Sequence, residues 1–169
     1  DALEQLALDD TDMGATWIAE GRRAVVSPMT VETPFQELVY FDPAEPSAVG
    51  YRFEAIRGHQ VQITIDTTLD RYFADVYRVS VEEEPVLVAS KPEDGDSVVF
   101  EPRRAGQYVL RIQPELLRGG RLDVTVIADA SLSFPVQDAG PANIWSYFGD
   151  PRDGGARIHE EVMTPLGLW

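Results

Sequence analysis

The chain has 169 residues, and its 29 acidic and 14 basic residues give a formal net charge of −15 with only two histidines. A sequence pI near 4.3 argues against a nucleic-acid partner, because proteins bind phosphate backbones through clustered lysine and arginine. The sequence contains no cysteine, which excludes disulfides, thiolate zinc sites and a thiol nucleophile.

The N-terminal residues combine three leucines with an acidic stretch, followed by Trp17 and Ile18. We predict a short helix or an N-terminal arm over residues 1–24. The acidic stretch has neither the glycine nor the closing glutamate of a calcium loop, so we interpret it as solvated. The chain begins at Asp1 without a leader, which we interpret as a mature or trimmed product. No apolar run reaches the ~18 residues of a transmembrane segment.

Residues 25–130 alternate between apolar and polar side chains in short segments separated by turn residues. This period of two is typical of strands that bury one face. The clearest apolar positions are Tyr51, Phe53, Ala55, Val61, Ile63, Ile65, Tyr108, Leu110, Ile112, Leu122, Val124 and Val126. About eight or nine such strands without a long helix predict an all-β fold, an antiparallel β-sandwich of jelly-roll or immunoglobulin-like type.

The turns between these predicted strands hold several polar residues of interest. Gly119-Gly120 leads from one strand into another and is interpreted as a hairpin turn. Two acidic groups, at residues 82–84 and 93–96, are interpreted as solvated hairpin tips. His59 is expected in a surface turn, and neither histidine has the local sequence signature of a Ser-His-Asp triad.

The alternation stops after Ala130, and residues 131–169 form a separate, mostly irregular tail by composition. The tail carries an ordered series of uncommon residues, namely Phe134, Pro135, Ile144, Ser146, Phe148, Gly149, Arg152 and His159. This series resembles the start of the catalytic domain in lysostaphin-type (LytM-type) zinc metallopeptidases, bacterial enzymes that cut peptide cross-links in peptidoglycan. The resemblance implies that His159 is the first zinc ligand and that the sandwich is an accessory domain.

The rest of the zinc site of that family has no match in the chain. The family supplies a His, an Asp four residues later and a His from a distant His-x-His motif, whereas Met163 stands four residues after His159 and no His-x-His follows. An alternative alignment places Glu161 at the ligand position with a spacing of only two. We therefore predict that residues 131–169 are the incomplete opening of a truncated peptidase domain. We also predict that this chain is inactive alone and binds zinc only weakly.

Three functional hypotheses follow. The first is the non-catalytic N-terminal region of a secreted zinc peptidoglycan endopeptidase, periplasmic or extracellular, which positions or restricts the catalytic domain and has that domain or peptidoglycan as its partner. The second is an envelope module that binds cell-wall glycan, peptide or a protein, which exposed aromatics on one sheet face would favour, with Tyr40, Tyr72 and Tyr77 as candidates. The third is a structural spacer.

Overall fold

The computed structural model describes residues 11–130, which form one helix followed by nine strands. Helix α1 spans Asp12–Val26. Thr11 begins it by accepting a hydrogen bond from the Gly14 amide at 3.1 Å, as an N-cap hydroxyl does. Asp12 in the first turn and Arg23 in the last turn complement the helix dipole. Within the described part of the chain, no helix has the length and apolarity that a membrane crossing requires.

The strands build two sheets that pack face to face. They are β1 (Met29–Thr30), β2 (Phe35–Phe41), β3 (Val49–Ala55), β4 (His59–Thr67), β5 (Tyr72–Val79), β6 (Val86–Ser90), β7 (Ser97–Phe100), β8 (Gly106–Pro114) and β9 (Gly120–Ala130). The first sheet has the order β1-β3-β8-β5-β6, and the second has the order β2-β9-β4-β7. All pairings are antiparallel except the short parallel pairing of β1 with β3. The predicted β-sandwich is confirmed, and the eight longer strands form a jelly roll.

The core lies between the two sheets and is made by the alternating apolar positions of the sequence. All twelve of the predicted core positions are at most 2% exposed. Fully burying one aliphatic or aromatic side chain contributes about 1.5–3 kcal/mol. The alternation therefore accounts for the main stabilising contacts of the fold.

Two of the predicted hairpin turns are wrong. Gly119-Gly120 joins β8 of the first sheet to β9 of the second, and residues 91–96 likewise cross from β6 to β7. Only the connection over residues 80–85 is a hairpin, since β5 and β6 pair with each other. In a jelly roll most successive strands belong to opposite sheets, and an apolar alternation looks the same whichever strand becomes the partner.

Helix α1 packs on the outer face of the first sheet through polar contacts at its N-terminal half. The Trp17 indole N–H donates to the Pro114 carbonyl at 2.8 Å, and the Gln113 amide donates to the Trp17 carbonyl at 2.7 Å. The Trp17 ring also meets the edge of Phe73, with centroids 5.8 Å apart. Gln113 is completely buried, and these contacts satisfy its amide N–H and the Trp17 carbonyl, whereas its side-chain oxygen has no hydrogen-bond partner among the described residues.

Two glycines allow the helix and the sheet to approach closely. A Cβ added at Gly50 of β3 would lie 1.8 Å from the Ala24 carbonyl oxygen, and one added at Gly21 would lie 2.5 Å from the Gln113 side-chain oxygen. A larger residue at Gly50 would push the helix off the sheet, because it would meet the Ala24 backbone, whereas one at Gly21 would require the Gln113 side chain to move. Helix α1 is therefore fitted to this face by the residues of both elements.

The two sheets have neighbouring edges formed by β6 and β7, which contact each other. The register between β5 and β6 shifts in the middle, because Val76 pairs with Ala89 but Tyr77 pairs with Leu87. Val88 is consequently an extra residue in β6, which is a β-bulge. This bulged edge forms part of the candidate binding site.

Candidate functional site

The predicted metal ligand and its surroundings lie outside the described residues. His159, Met163, Glu161 and the whole series that begins at Phe134 belong to the tail, and their assignment stays a prediction. His59 is the first residue of β4 and is half-buried. No group of three or more His, Asp or Glu side chains in residues 11–130 is placed to hold a metal ion.

The three candidate tyrosines do not share a surface, so they do not form the exposed aromatic face that would favour a binding module. Tyr40 is 71% exposed on the second sheet, whereas Tyr72 is buried in the core of the first. Burial, with the nearby charge of Asp96, raises the pKa of Tyr72 to about 12. Tyr77 lies on the outer face of the first sheet, where the Arg111 guanidinium lies 5.5 Å from its ring centroid. The alternation identifies these strands but not which tyrosines stay in contact with solvent.

The acidic loops are solvated, as predicted, and each is held by one basic residue. Glu83 accepts a hydrogen bond from Arg78 at 2.7 Å, and this bond lowers the pKa of the Glu83 carboxyl. In the loop over residues 91–96, the Lys91 ammonium donates to the carbonyls of Pro92, Glu93 and Gly95 at 2.8, 3.3 and 3.1 Å. The Lys91 ammonium thus already occupies the carbonyl oxygens of this loop that a bound cation would need as ligands.

A groove of about 420 Å³ opens beside the β6–β7 edge, and we call it the edge groove. Its walls combine aliphatic and aromatic groups with three guanidinium groups. The lining residues are Arg78, Leu87, Val88, Phe100, Glu101, Pro102, Arg103, Arg104 and Tyr108. The groove therefore pairs an apolar surface with positive charge in a strongly acidic protein.

The arginines of the edge groove differ in how they are used. Arg78 is engaged by Glu83. Arg103 and Arg104 are exposed and form no salt bridge with any residue from 11 to 130. The Tyr108 hydroxyl, from the core side, donates to the Arg104 carbonyl at 2.7 Å. This bond fixes the backbone of the loop while the guanidinium groups stay exposed, and the charge of Arg104 also contributes to the lowered pKa of Glu83.

A second groove, of about 470 Å³, lies beside Tyr72 and Lys91 and also has Asp70, Arg71 and Glu115 in its walls. Its charges are already matched, because Arg71 pairs with Glu115 at 3.6 Å and Lys91 is bound to the loop carbonyls and lies 5.0 Å from the centre of the Tyr72 ring. A charged ligand there would have to displace these contacts. The edge groove is the better candidate for a binding site.

The edge groove is not among the sites that the sequence predicts, because the sequence signals for it are weak. Arg103 and Arg104 are adjacent in a chain with twice as many acidic as basic residues, but so are Arg22 and Arg23. Val86, Leu87 and Val88 are three consecutive aliphatic residues, which a strand with one solvated face does not need. Neither signal shows by itself that the two segments meet at one edge.

The comparisons with known proteins found neither a protein-family model nor a curated protein that matches the chain. The fold is similar to the pre-peptidase C-terminal domain of a collagenase from Bacillus anthracis (10% identity, TM-score 0.48, 59% of this chain and 94% of that one). It is also similar to PliG from Aeromonas hydrophila, a periplasmic inhibitor of g-type lysozyme (14% identity, TM-score 0.43, 58% and 96%). A third similar structure is the Yersinia pseudotuberculosis-derived mitogen (9% identity, TM-score 0.39, 62% and 93%).

Proposed function

We propose that the chain is the non-catalytic accessory region of a secreted bacterial zinc peptidoglycan endopeptidase, working in the periplasm or outside the cell. The observation that carries this proposal is the order of residues from Phe134 to His159, which follows directly on the last strand of the sandwich. The sandwich then serves to position the peptidase domain or to restrict access to its cleft. Its well-packed core suits a rigid support.

The non-catalytic part of the proposal rests on the set of possible ligands. A hydrolytic zinc site uses about three protein ligands and an open position for water. The chain has two histidines, and His59 is in β4 of the sandwich, where the described residues offer no metal-binding cluster around it. His159 therefore lacks the partner histidine that the resembled family uses.

A second candidate function is an envelope-binding module, and the edge groove favours it. Leu87 and Val88 are 54% and 42% exposed on the strand that lines the groove, beside two arginines without ion-pair partners among residues 11–130. Exposed apolar groups with a polar rim are typical of interaction sites. The binding module and the accessory region are compatible, because an accessory domain that binds the cell wall also places its enzyme there.

Two measurements on the full chain test the proposal. Calorimetric titration with Zn²⁺ should show no stoichiometric site of submicromolar affinity, and His159→Ala should leave the titration unchanged. A tight site lost in that variant would refute the non-catalytic assignment. Incubation with purified peptidoglycan sacculi should retain the protein at about 150 mM salt, where exposed charges are screened beyond ~8 Å, without releasing soluble wall fragments. Failure of retention would refute the wall-binding module and leave a role in positioning the peptidase domain or as a structural spacer.

A further inference from the structure

Strand β6 at the β6–β7 edge carries the longest run of consecutive exposed aliphatic residues in the part of the chain that the structure describes. Val86, Leu87 and Val88 are all more than 40% exposed. The core of the sandwich does not use these side chains. Their exposure has a cost in water that a bound apolar partner would remove.

The positive charge of this edge is local. Arg78, Arg103 and Arg104 are three of the 14 basic residues of the chain and all line the edge groove. Glu101 is the only acidic residue among the lining residues, and the Glu83 carboxylate outside it is paired with Arg78. Within a protein of net charge −15, such a spot attracts a short anionic ligand while the surrounding surface repels an extended polyanion.

The geometry of β6 decides how a ligand would contact the edge. A peptide can extend a sheet by pairing with a regular edge strand. The extra residue Val88 interrupts the regular spacing of the backbone groups of β6. Binding through side chains in the groove therefore fits this edge better than addition of a strand.

We propose that the edge groove binds a short peptide that carries aliphatic side chains and at least two carboxylates. The aliphatic side chains pack on Leu87, Val88 and Phe100, and the carboxylates accept hydrogen bonds from Arg103 and Arg104. Guanidinium groups match carboxylates because both are planar and can form two parallel bonds. This inference rests on the second candidate function, the binding module, and names the class of ligand for it.

The test uses a synthetic probe and the full chain. The peptide Leu-Glu-Leu-Glu-Leu with a free carboxyl terminus is titrated by calorimetry, against an amidated Leu-Gln-Leu-Gln-Leu of the same length. We expect the acidic peptide to bind with a Kd below about 1 mM and the neutral peptide to bind about tenfold more weakly, since it cannot form charge-assisted bonds.

Variants locate the site. Arg103→Gln/Arg104→Gln should weaken binding of the acidic peptide about tenfold, which corresponds to two partly exposed charge-assisted bonds. The matched control, Arg22→Gln/Arg121→Gln, removes two exposed arginines that likewise have no salt bridge among residues 11–130 and should change Kd less than twofold. Leu87→Glu, which keeps both arginines, should also weaken the acidic peptide. All three should keep the wild-type unfolding midpoint.

Several results would overturn the proposal. If the neutral peptide bound as tightly as the acidic one, the arginines would have no role in binding. If the groove and control variants lost equal affinity for the acidic peptide, the effect would come from net charge and not from the groove. Tighter binding of inorganic polyphosphate or of anionic phospholipid vesicles at the groove would assign it to another class of ligand. Concentration-dependent dimerisation abolished by Leu87→Glu would make a second copy the occupant.

The sacculus experiment separates this inference from the proposed function. Retention of the wild type on sacculi without any binding of the acidic peptide would refute the ligand class and leave the wall-binding role intact. Binding of the peptide without retention on sacculi would refute the wall-binding role while supporting the groove as a peptide site. The two failures therefore give different results.

Discussion

Val109 and Leu87 occupy the same row on the outer face of the first sheet, one on each side of Tyr77, yet their surroundings are opposite. Val109 is completely buried in the middle of the sheet, on strand β8, the strand that also contacts helix α1 through Gln113 and Pro114. Leu87 is more than half exposed at the edge strand β6. The fold therefore supplies its own cover for the middle of this face and leaves the edge uncovered.

The difference shows how to separate structural from interacting apolar residues. Apolar residues of the covered region contribute to folding, so their loss should lower stability. Those of the edge contribute little to the described fold, so their loss should affect binding alone. The predictions below run from the covered region to the edge, and the expected effect decreases in that order.

Gly50→Ala should have the largest effect. The new Cβ would overlap the Ala24 carbonyl, so the helix must move away from β3, at a cost of about 3 kcal/mol. Urea unfolding should show a lower midpoint with a similar slope. Gly95→Ala is the control, because its Cβ would meet only Pro92 at 3.6 Å, an ordinary contact. An equally stable Gly50→Ala protein would show that the helix is not held at this distance.

Val109→Ala and Leu87→Ala test the two sides of the row directly. We expect a loss of about 2 kcal/mol for the buried valine and a change within about 0.5 kcal/mol for the exposed leucine. Thermal and urea unfolding of both variants measure the difference. A large destabilisation by Leu87→Ala would mean that another part of the chain covers the edge.

Trp17→Phe should have a smaller effect. The aromatic contact with Phe73 is kept, but the hydrogen bond to the Pro114 carbonyl is lost, at a cost of about 1 kcal/mol. The unfolding midpoint in urea measures this cost. The control, Tyr40→Phe, removes a polar group from a strongly exposed ring and should leave the midpoint unchanged. An equal shift in both variants would show that the hydrogen bond from Trp17 does not stabilise the fold.

Arg78→Gln should have the smallest effect, and one that depends on pH. The hydrogen bond from Arg78 lowers the pKa of Glu83 below its ordinary value of 4.5, so the bond stabilises the fold above that pH. Its contribution is lost as the pH falls through the folded-state pKa. The stability difference between wild type and variant should therefore be present at pH 7 and vanish in acid. A difference that persists in acid would point to lost packing of the arginine instead.

The sequence predicts the buried core positions of this protein well and the pairing of its strands poorly. The alternation of Val61, Ile63 and Ile65 identifies an inward face, because a strand can bury only every second residue. The same alternation does not choose between sheets, which is why the sequence wrongly predicts a hairpin at Gly119-Gly120. Sheet order is decided by contacts between residues far apart in sequence.

The edge groove depends on the same distant contacts. Arg78 lies on β5 of the first sheet, whereas Arg103 lies in the loop that crosses from β7 of the second sheet to β8 of the first, and the two meet in one groove only in the folded sandwich. Composition does not reveal this meeting, since 14 basic residues in an acidic chain give no indication of clustering. The candidate zinc ligand His159 came from resemblance and lies beyond the described residues, so it stays a prediction.

The bulge at Val88 has a consequence for how the protein behaves at high concentration. A flat edge strand with three exposed aliphatic residues is a template on which copies of a chain assemble into continuous sheets. The extra residue breaks the hydrogen-bonding repeat that such assembly needs, and the net charge of −15 adds repulsion between copies. The protein can thus expose an apolar edge and still resist aggregation through it.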